Sequence, residues 1–338
     1  MNKRVVVALS GGVDSSVASA LLKKEGFEVI GVHLRCWTEG DHCTSVEDER
    51  MARAVASHLG IPFYVLDLVD EYQERVISYL IEGYEKGETP NPDVMCNREI
   101  KFGLLFEKAM DLGAEYLATG HYARIRNGRI AEAADRNKDQ SYFLARVSPR
   151  VLARVLFPLG EYTKPQVRKL AKKFGLPTAE RPDSQGLCFI GKLDFEEFLK
   201  SRIPAKKGRI IDTKGKLLGT HQGAFAYTIG QRRGIGLSGG PWFVVAKDVR
   251  KNLLVVSRDE KDLETSESEI RDIQWFSQAL GELRVKVRYR QPGVRARFVG
   301  GMEGSGKLVF ASAQRAVASG QIAAMYSDEE LVGAGVFV

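Results

Sequence analysis

Four cysteines in 338 residues, Cys36, Cys43, Cys96 and Cys188, are too few and too scattered for a disulfide framework, and no C-x-x-C pair suggests a zinc site. Each is then either a small buried hydrophobe or a reactive thiol. No apolar run reaches the roughly eighteen residues that a membrane helix needs. The opening MNKRVVVALSGG has a basic start but only a short apolar stretch and no small-residue cleavage site. No membrane span and no signal peptide are therefore expected, and the expected compartment is the cytoplasm. Internal repeats and low-complexity tracts are missing too. Acidic residues number 43 against 50 basic ones, for a net charge of +7, which is compatible with a nucleic-acid partner without establishing one.

What is present is an alternation of strand and helix signals. RVVVAL, EVIGVHL, FYVLDL and AEYLATG read as apolar strands. DSSVASALLKKEG, SVEDERMARAVASHLG, EYQERVISYLIEGYEKG and KFGLLFEKAMDLG read as helices between them. Apolar strands separated by helices predict an α/β fold with a doubly wound parallel sheet, and in such sheets ligands bind at the carboxyl ends of the strands. ARIRNGRIAEA predicts a hairpin turning at Asn127-Gly128. SPRVLARVLF and TKPQVRKLAKKFG read as further helices. Near Pro204 the composition shifts to short alternating strands and glycine-rich turns. The expected division is an α/β domain over 1–203, a small central mostly-β domain over 204–270 and a C-terminal β-barrel over 271–338.

Three stretches carry candidate chemistry. SGGVDSS sits directly between a strand and a helix, so backbone N–H groups and the positive helix end face an anion there. Ser10 and Ser15 add hydroxyls, and Asp14 suits a cation held among phosphates. The phosphate-loop lysine of G-x-x-x-x-G-K-[ST] is missing, which excludes a Walker-type NTPase. NPDVMCNREIKFG and DSQGLCFIG each place a cysteine in a turn-rich stretch read as lying between helices, with Arg98 and Lys101 able to favour the Cys96 thiolate. LRVKVRYR alternates Arg284, Lys286, Arg288 and Arg290 with Val285, Val287 and Tyr289, a basic face suited to an RNA backbone. For Cys36 packing is expected, and for Cys43 an incidental thiol beside His42. His121 reads equally as a phosphate or base contact and as a satisfied loop histidine.

SGGVDSS in this setting resembles the loop of the PP-loop ATP pyrophosphatases. NPDVMCNREIKF, DSQGLCFIGK, ATGHYAR, KDQSYFL, LGEYTKPQVRKLAKKFGLPTA, GTHQGAFAYTIGQRRGIGL and SGQIAAMYSDEELVGAGV are similar, from the first strand to the C-terminus, to the tRNA-specific 2-thiouridylases, the MnmA family. The resemblance implies ATP and Mg2+, with the nucleotide held by Ala8, Leu9, Ser10, Gly11, Gly12, Val13, Asp14, Ser15, Leu34 and Gly120. It implies adenylation of the C2 oxygen of the wobble uridine of tRNA. Cys188 would carry a persulfide sulfur from a sulfur-donor protein, Cys96 would release the product and leave a Cys96–Cys188 disulfide, and Asp93 would act near the base. Asn91, Pro92 and Asp93 would contact the target base, and Lys138, Asp139, Gln140, Arg288 and Tyr289 the rest of the tRNA. A monomer is expected, and no resident metal site is read from the residues. Other readings are an iron–sulfur cluster on Asp93, Cys96 and Cys188, a PP-loop C–N ligase acting on a small molecule, and a non-catalytic ATP-sensing tRNA-binding protein.

Overall fold

The structure, a computed structural model, describes residues 3–38, 45–183, 188, 195–277, 281–302 and 304–338. The chain forms two compact units, one of Met1–Ile77, Pro92–Leu193 and Glu329–Leu331, the other of Ser78–Asn91, Asp194–Asp328 and Val332–Val338. The helices, in chain order, are α1 (Val13–Lys24), α2 (Ser45–Leu59), α3 (Val69–Tyr72), α4 (Ser78–Glu85, in the second unit), α5 (Pro92–Cys96), α6 (Leu105–Asp111), α7 (Lys164–Lys173) and α8 (Phe195–Arg202). Among the described residues no helix is long and apolar enough to cross a membrane.

The first unit is built on β1 (Arg4–Ala8), β2 (Glu28–Arg35), β3 (Phe63–Asp67), β4 (Tyr116–Ala118) and β7 (Val155–Leu156), in the order β3-β2-β1-β4-β7. Every pairing in this sheet is parallel. Val5, Val6 and Val7 are all 0% exposed because helices cover both faces of the central strand. α1, α2 and α7 pack together through Val17, Ala52, Val55, Val167 and Ala171. The chain builds outward from β1 to β3 and then from β4 to β7, so the order reverses between β1 and β4, where a doubly wound sheet opens a crevice. The hairpin of β5 (Ala123–Arg126) and β6 (Arg129–Glu132) turns at Asn127 and Gly128, both with positive φ, as its Asn-Gly sequence predicts.

Three local expectations are corrected. SPRVLARVLF is not an α-helix but a 3-10 turn over Pro149–Arg154 followed by the fifth strand, β7. FYVLDL, read as a buried strand, forms the sheet's edge, and Tyr64 is exposed. Cys96 does not lie in a loop: it ends α5 and is 0% exposed. Pro92 starts that helix, where a missing N–H costs nothing.

The second unit holds two sheets. β8 (Gly208–Asp212), β9 (Leu217–His221), β10 (Phe243–Asp248) and β11 (Leu253–Ser257) pair in the order β10-β11-β8-β9 over a core that includes Ile210, Val244, Leu254 and Val256. β12 (Glu264–Trp275), β13 (Leu283–Lys286), β14 (Val294–Gly300), β15 (Gly306–Arg315), β16 (Ile322–Ser327) and β17 (Glu330–Phe337) run in the order β12-β15-β14-β13-β16-β17, and β12 also pairs with β17. That last pairing closes the six strands into a barrel. The boundary expected between 270 and 271 falls inside β12. LRVKVRYR keeps strand form only to Lys286, because Arg290 takes a left-handed conformation and Pro292 follows it.

Phe337 is 0% exposed inside the barrel, beside the closing strand pair. Phe337→Ala is expected to lose about 3–5 kcal/mol of stability, read as a lowered denaturant midpoint with barrel tryptophan fluorescence. An unchanged midpoint would mean that the barrel seam is not packed as described.

Candidate active site

The first centre grows from the end of β1. Leu9 N–H donates to Val32 at 2.8 Å, and the chain then turns at Gly11 with φ +79°. A Cβ on Gly11 would lie 2.2 Å from the Asp48 carbonyl oxygen, so no other residue fits. Ser10 donates its N–H to the Ser15 hydroxyl at 3.2 Å, which holds the loop against the first turn of α1. Across the crevice, the chain leaving β4 comes so close that a Cβ on Gly120 would sit 2.6 Å from the Ser15 backbone nitrogen. Leu34 lies buried in β2, and Ala8 closes β1. The expected nucleotide residues thus gather around β1, with Gly120 packed on the same turn.

The missing loop lysine has a counterpart from far along the chain. The Lys164 ammonium lies 2.7 and 2.8 Å from the two Asp14 oxygens and 2.8 Å from Asp183. Asp183 also meets Lys138 at 2.8 Å and Arg168 at 2.5 Å. Burial works against the Asp183 charge, but its bonds to Lys138 and Lys164 hold the carboxyl well below the usual range. Tyr122 donates to Asp14 at 2.8 Å, and burial together with that carboxylate pushes its hydroxyl far up, so it stays protonated. Arg181 donates to the Gly11 carbonyl at 2.7 Å and to Asp48 at 2.6 Å. Asp14 fits a magnesium ion shared with phosphates, since Mg2+ is usually held by one or two carboxylates plus phosphate oxygens. Here Lys164 and Tyr122 engage its oxygens.

Lys164, Arg181 and Asp183 were not among the expected site residues. One signal was available: Lys164 is the first residue of α7, where a cation opposes the helix dipole. The KDQ segment is also less solvated than a turn suggests. Lys138 pairs with Asp183, and Gln140 accepts from the Tyr122 N–H at 3.0 Å. Asp139 is 5% exposed and accepts from Ala133 N–H and the Ser141 hydroxyl.

The second centre joins the two cysteine stretches. Asp93 accepts from the Cys188 N–H at 2.9 Å, and the Tyr72 hydroxyl donates to the Cys188 carbonyl at 2.8 Å. Those bonds fix the Cys188 backbone from both sides. The Cys96 side chain lies beside Cys188, and the Lys101 ammonium lies 3.7 Å from the Cys188 sulfur. The Cys96 side chain, then burial, raises Cys188 well above an ordinary thiol, against the opposing pull of Lys101. Burial works against the charge on Lys101, yet the two thiols and Asp93 keep its ammonium above the ordinary value. Arg98, expected to favour the Cys96 thiolate, pairs with Glu99 at 2.8 Å. Cys36 is buried and packs, as expected, with its thiol pushed up by burial. Cys43 and His42 lie outside the described residues. No trio of His, Cys, Asp or Glu among the described residues is arranged to hold a metal ion.

In the second unit Arg284 and Lys286 lie over the buried Tyr326 ring, at 5.0 and 5.1 Å from its centroid. Arg288 donates to the backbone carbonyls of Ile229 and Ala316, and Arg290 stacks on Tyr289 at 5.4 Å. Much of the expected basic face is therefore engaged in packing. Asn91 closes the first segment of this unit, one residue before the α5 start.

Residues 3–192 match the family model described as tRNA methyl transferase HUP domain, 196–258 that of a tRNA methyl transferase PRC-barrel domain, and 265–337 that of an aminomethyltransferase beta-barrel domain. The chain is 44% identical to tRNA-specific 2-thiouridylase MnmA 2 of Geobacillus kaustophilus, over 98% of this chain and 94% of that protein. It is equally 44% identical to tRNA-specific 2-thiouridylase MnmA of Akkermansia muciniphila, over 99% of this chain and 98% of that one. Among solved structures, a 4-thiouridine synthetase–RNA complex with bound ATP matches 60% of this chain and 50% of its own at 20% identity, with a TM-score of 0.36.

His121 follows Gly120, and its Nδ1 lies 2.7 Å from the Thr119 hydroxyl. Burial, then the Lys101 charge, pushes its imidazole well below the ordinary value, so the folded protein keeps it neutral. Below about pH 6.5 the unfolded chain takes up a proton there and the folded chain does not, so stability falls with pH. Wild type should lose roughly 1 kcal/mol more than His121→Gln between pH 7 and 5.5, measured by urea unfolding. His33 and His221, also lowered by burial, cancel in this difference. Equal losses would show that His121 protonates in the fold.

Proposed function

The chain belongs to the tRNA-specific 2-thiouridylase family, and from that premise we propose that it replaces the C2 oxygen of the wobble uridine of tRNA with sulfur, consuming ATP. The observation that carries this reading is the meeting of Cys96, Cys188, Lys101 and Asp93 in the unit that also holds the glycine loop. A small-molecule ligase has no use for two neighbouring thiols.

In this reading the backbone of Ser10–Ser15 and the α1 N-terminus bind the ATP phosphates, and Lys164 leaves Asp14 to neutralise them. Mg2+ would enter with ATP at Asp14 and add charge neutralisation. The uridine C2 oxygen attacks the α-phosphate, and pyrophosphate leaves with the bonding pair. The terminal sulfur of a Cys188 persulfide then attacks C2, and AMP leaves with the C2–O pair. The Cys96 thiolate attacks the Cys188 sulfur, and the sulfur–sulfur bonding pair passes to the new thiocarbonyl. The product is 2-thiouridine, and the enzyme is left as a Cys96–Cys188 disulfide, which a thiol reductant must return to two thiols. A sulfur-donor protein reloads Cys188. Asn91, Pro92 and Asp93 face the target base, Lys138, Asp139, Gln140, Arg288 and Tyr289 serve the tRNA, and the work is cytoplasmic. Residues 1–203 do the chemistry, while 204–270 and 271–338 grip the tRNA.

The test is mass spectrometry of nucleosides from tRNA lacking the 2-thio group, incubated with protein, ATP, Mg2+ and a persulfide donor. 2-Thiouridine should appear with wild type and not with Cys96→Ser or Cys188→Ser. Lys164→Met should lower tRNA-dependent AMP release by roughly 100-fold with its sulfur loading intact. If sulfur-loaded wild type binds tRNA and never forms 2-thiouridine, the proposal fails.

A further inference from the structure

Lys101, read from the sequence as a neighbour of Cys96, meets the Cys188 sulfur in the fold. It lies five residues after Cys96. In an α-helix of 3.6 residues per turn, residues five apart diverge by about 140°. Asn97–Leu104 instead forms a π-helical segment with i→i+5 bonding, the kind of wide turn often found at functional sites. The wide turn lets the lysine reach the same centre as Cys96, with its ammonium 3.7 Å from the Cys188 sulfur. Asp93, a nearby carboxylate, already accepts the Cys188 N–H through one oxygen. The Tyr72 hydroxyl, bonded to the Cys188 carbonyl, stays protonated because burial raises it. A sulfur that becomes anionic on Cys188 therefore has an ammonium 3.7 Å from its anchor.

We propose that Lys101 is a catalytic residue of sulfur transfer, its ammonium holding the transferred sulfur as an anion beside Cys188. The proposal rests on the thiolation reading and adds a residue to it. A persulfide terminal sulfur must be deprotonated to attack C2, and a fixed cation next to its anchor favours that form. In the next step the Cys96 thiolate bonds to the Cys188 sulfur while the terminal sulfur leaves with the electron pair. Lys101 sits where that negative charge develops. It donates no proton that the step consumes, so the lysine returns unchanged.

The experiment loads the protein with inorganic polysulfide, which passes one sulfane sulfur to Cys188, and traps the persulfide with iodoacetamide across pH 5 to 9. Peptide mass spectrometry reads the fraction trapped against time. Lys101→Met should shift the apparent titration of trapping upward by about one unit or more and slow single-turnover thiolation of tRNA roughly 100-fold. Lys101→Arg should restore the trapping profile to near wild type. Identical profiles for wild type and Lys101→Met would overturn the proposal, as would equal profiles for Lys101→Arg and Lys101→Met. If Lys101→Met does not fold, Lys101→Gln against Lys101→Arg gives the same comparison of charge at similar length. The trapping readout needs no tRNA. A shifted profile with no 2-thiouridine from wild type would sink the thiolation reading alone, and 2-thiouridine with unshifted profiles would sink the Lys101 role alone.

Discussion

A cation taken out of water must find its counter-charge inside the fold, and both chemical centres of this protein are organised by that constraint. At the glycine loop the Lys164 ammonium bridges Asp14 and Asp183. Asp183 in turn gathers Lys138 and Arg168, so four side chains from three stretches of the sequence are locked together by one carboxylate's demand for neutrality. The loop has no lysine of its own, and the fold brings Lys164 of α7 to its Asp14 carboxylate.

At the cysteines the same constraint is met differently. The Lys101 ammonium lies 3.7 Å from the Cys188 sulfur, and Asp93 accepts the Cys188 N–H through one oxygen. On the proposed mechanism this is electrostatic preorganisation: the cost of orienting the charge is met in folding rather than during the reaction. High thiol protonation at Cys188 has its own logic. A neutral resting thiol is a slow nucleophile toward stray oxidants.

The parallel sheet was legible because its central strand is covered on both faces, which leaves an apolar run such as RVVVAL with no polar alternation to confuse it. The β5–β6 hairpin was legible because Asn-Gly is one of the few pairs that accept two positive φ angles. Legibility stopped where local signals are ambiguous. Asn91-Pro92-Asp93 has the composition of a turn and of a helix start alike, and here Pro92 opens α5, so Cys96 was misplaced into a loop. VLF at 155–157 is too short to separate a strand from a helix turn, and pairing of Val155 with Leu117 decides it. The glycine loop and both cysteines could be named from their motifs. The partners that make them a site, Lys164, Asp183 and Tyr72, lie at long range, and no local pattern ties them to Asp14 or Cys188.

Those long-range partners also tie the KDQ segment to the glycine-loop centre. Lys138 reaches Asp14 through Asp183 and Lys164, and Gln140 reaches it through Tyr122. Between them Asp139 is buried and spends its oxygens on Ala133 and Ser141, which fixes the spacing of its neighbours. Two hydrogen-bonded routes therefore converge on one carboxylate. Displacing Lys138 toward an external phosphate would leave Asp183 with two cations in place of three and strengthen its hold on Lys164. The ammonium would then be drawn from Asp14, and the loop carboxylate would be freer to take a metal ion. Coulomb's law gives the direction of that coupling from the distances alone, without any movement of the backbone.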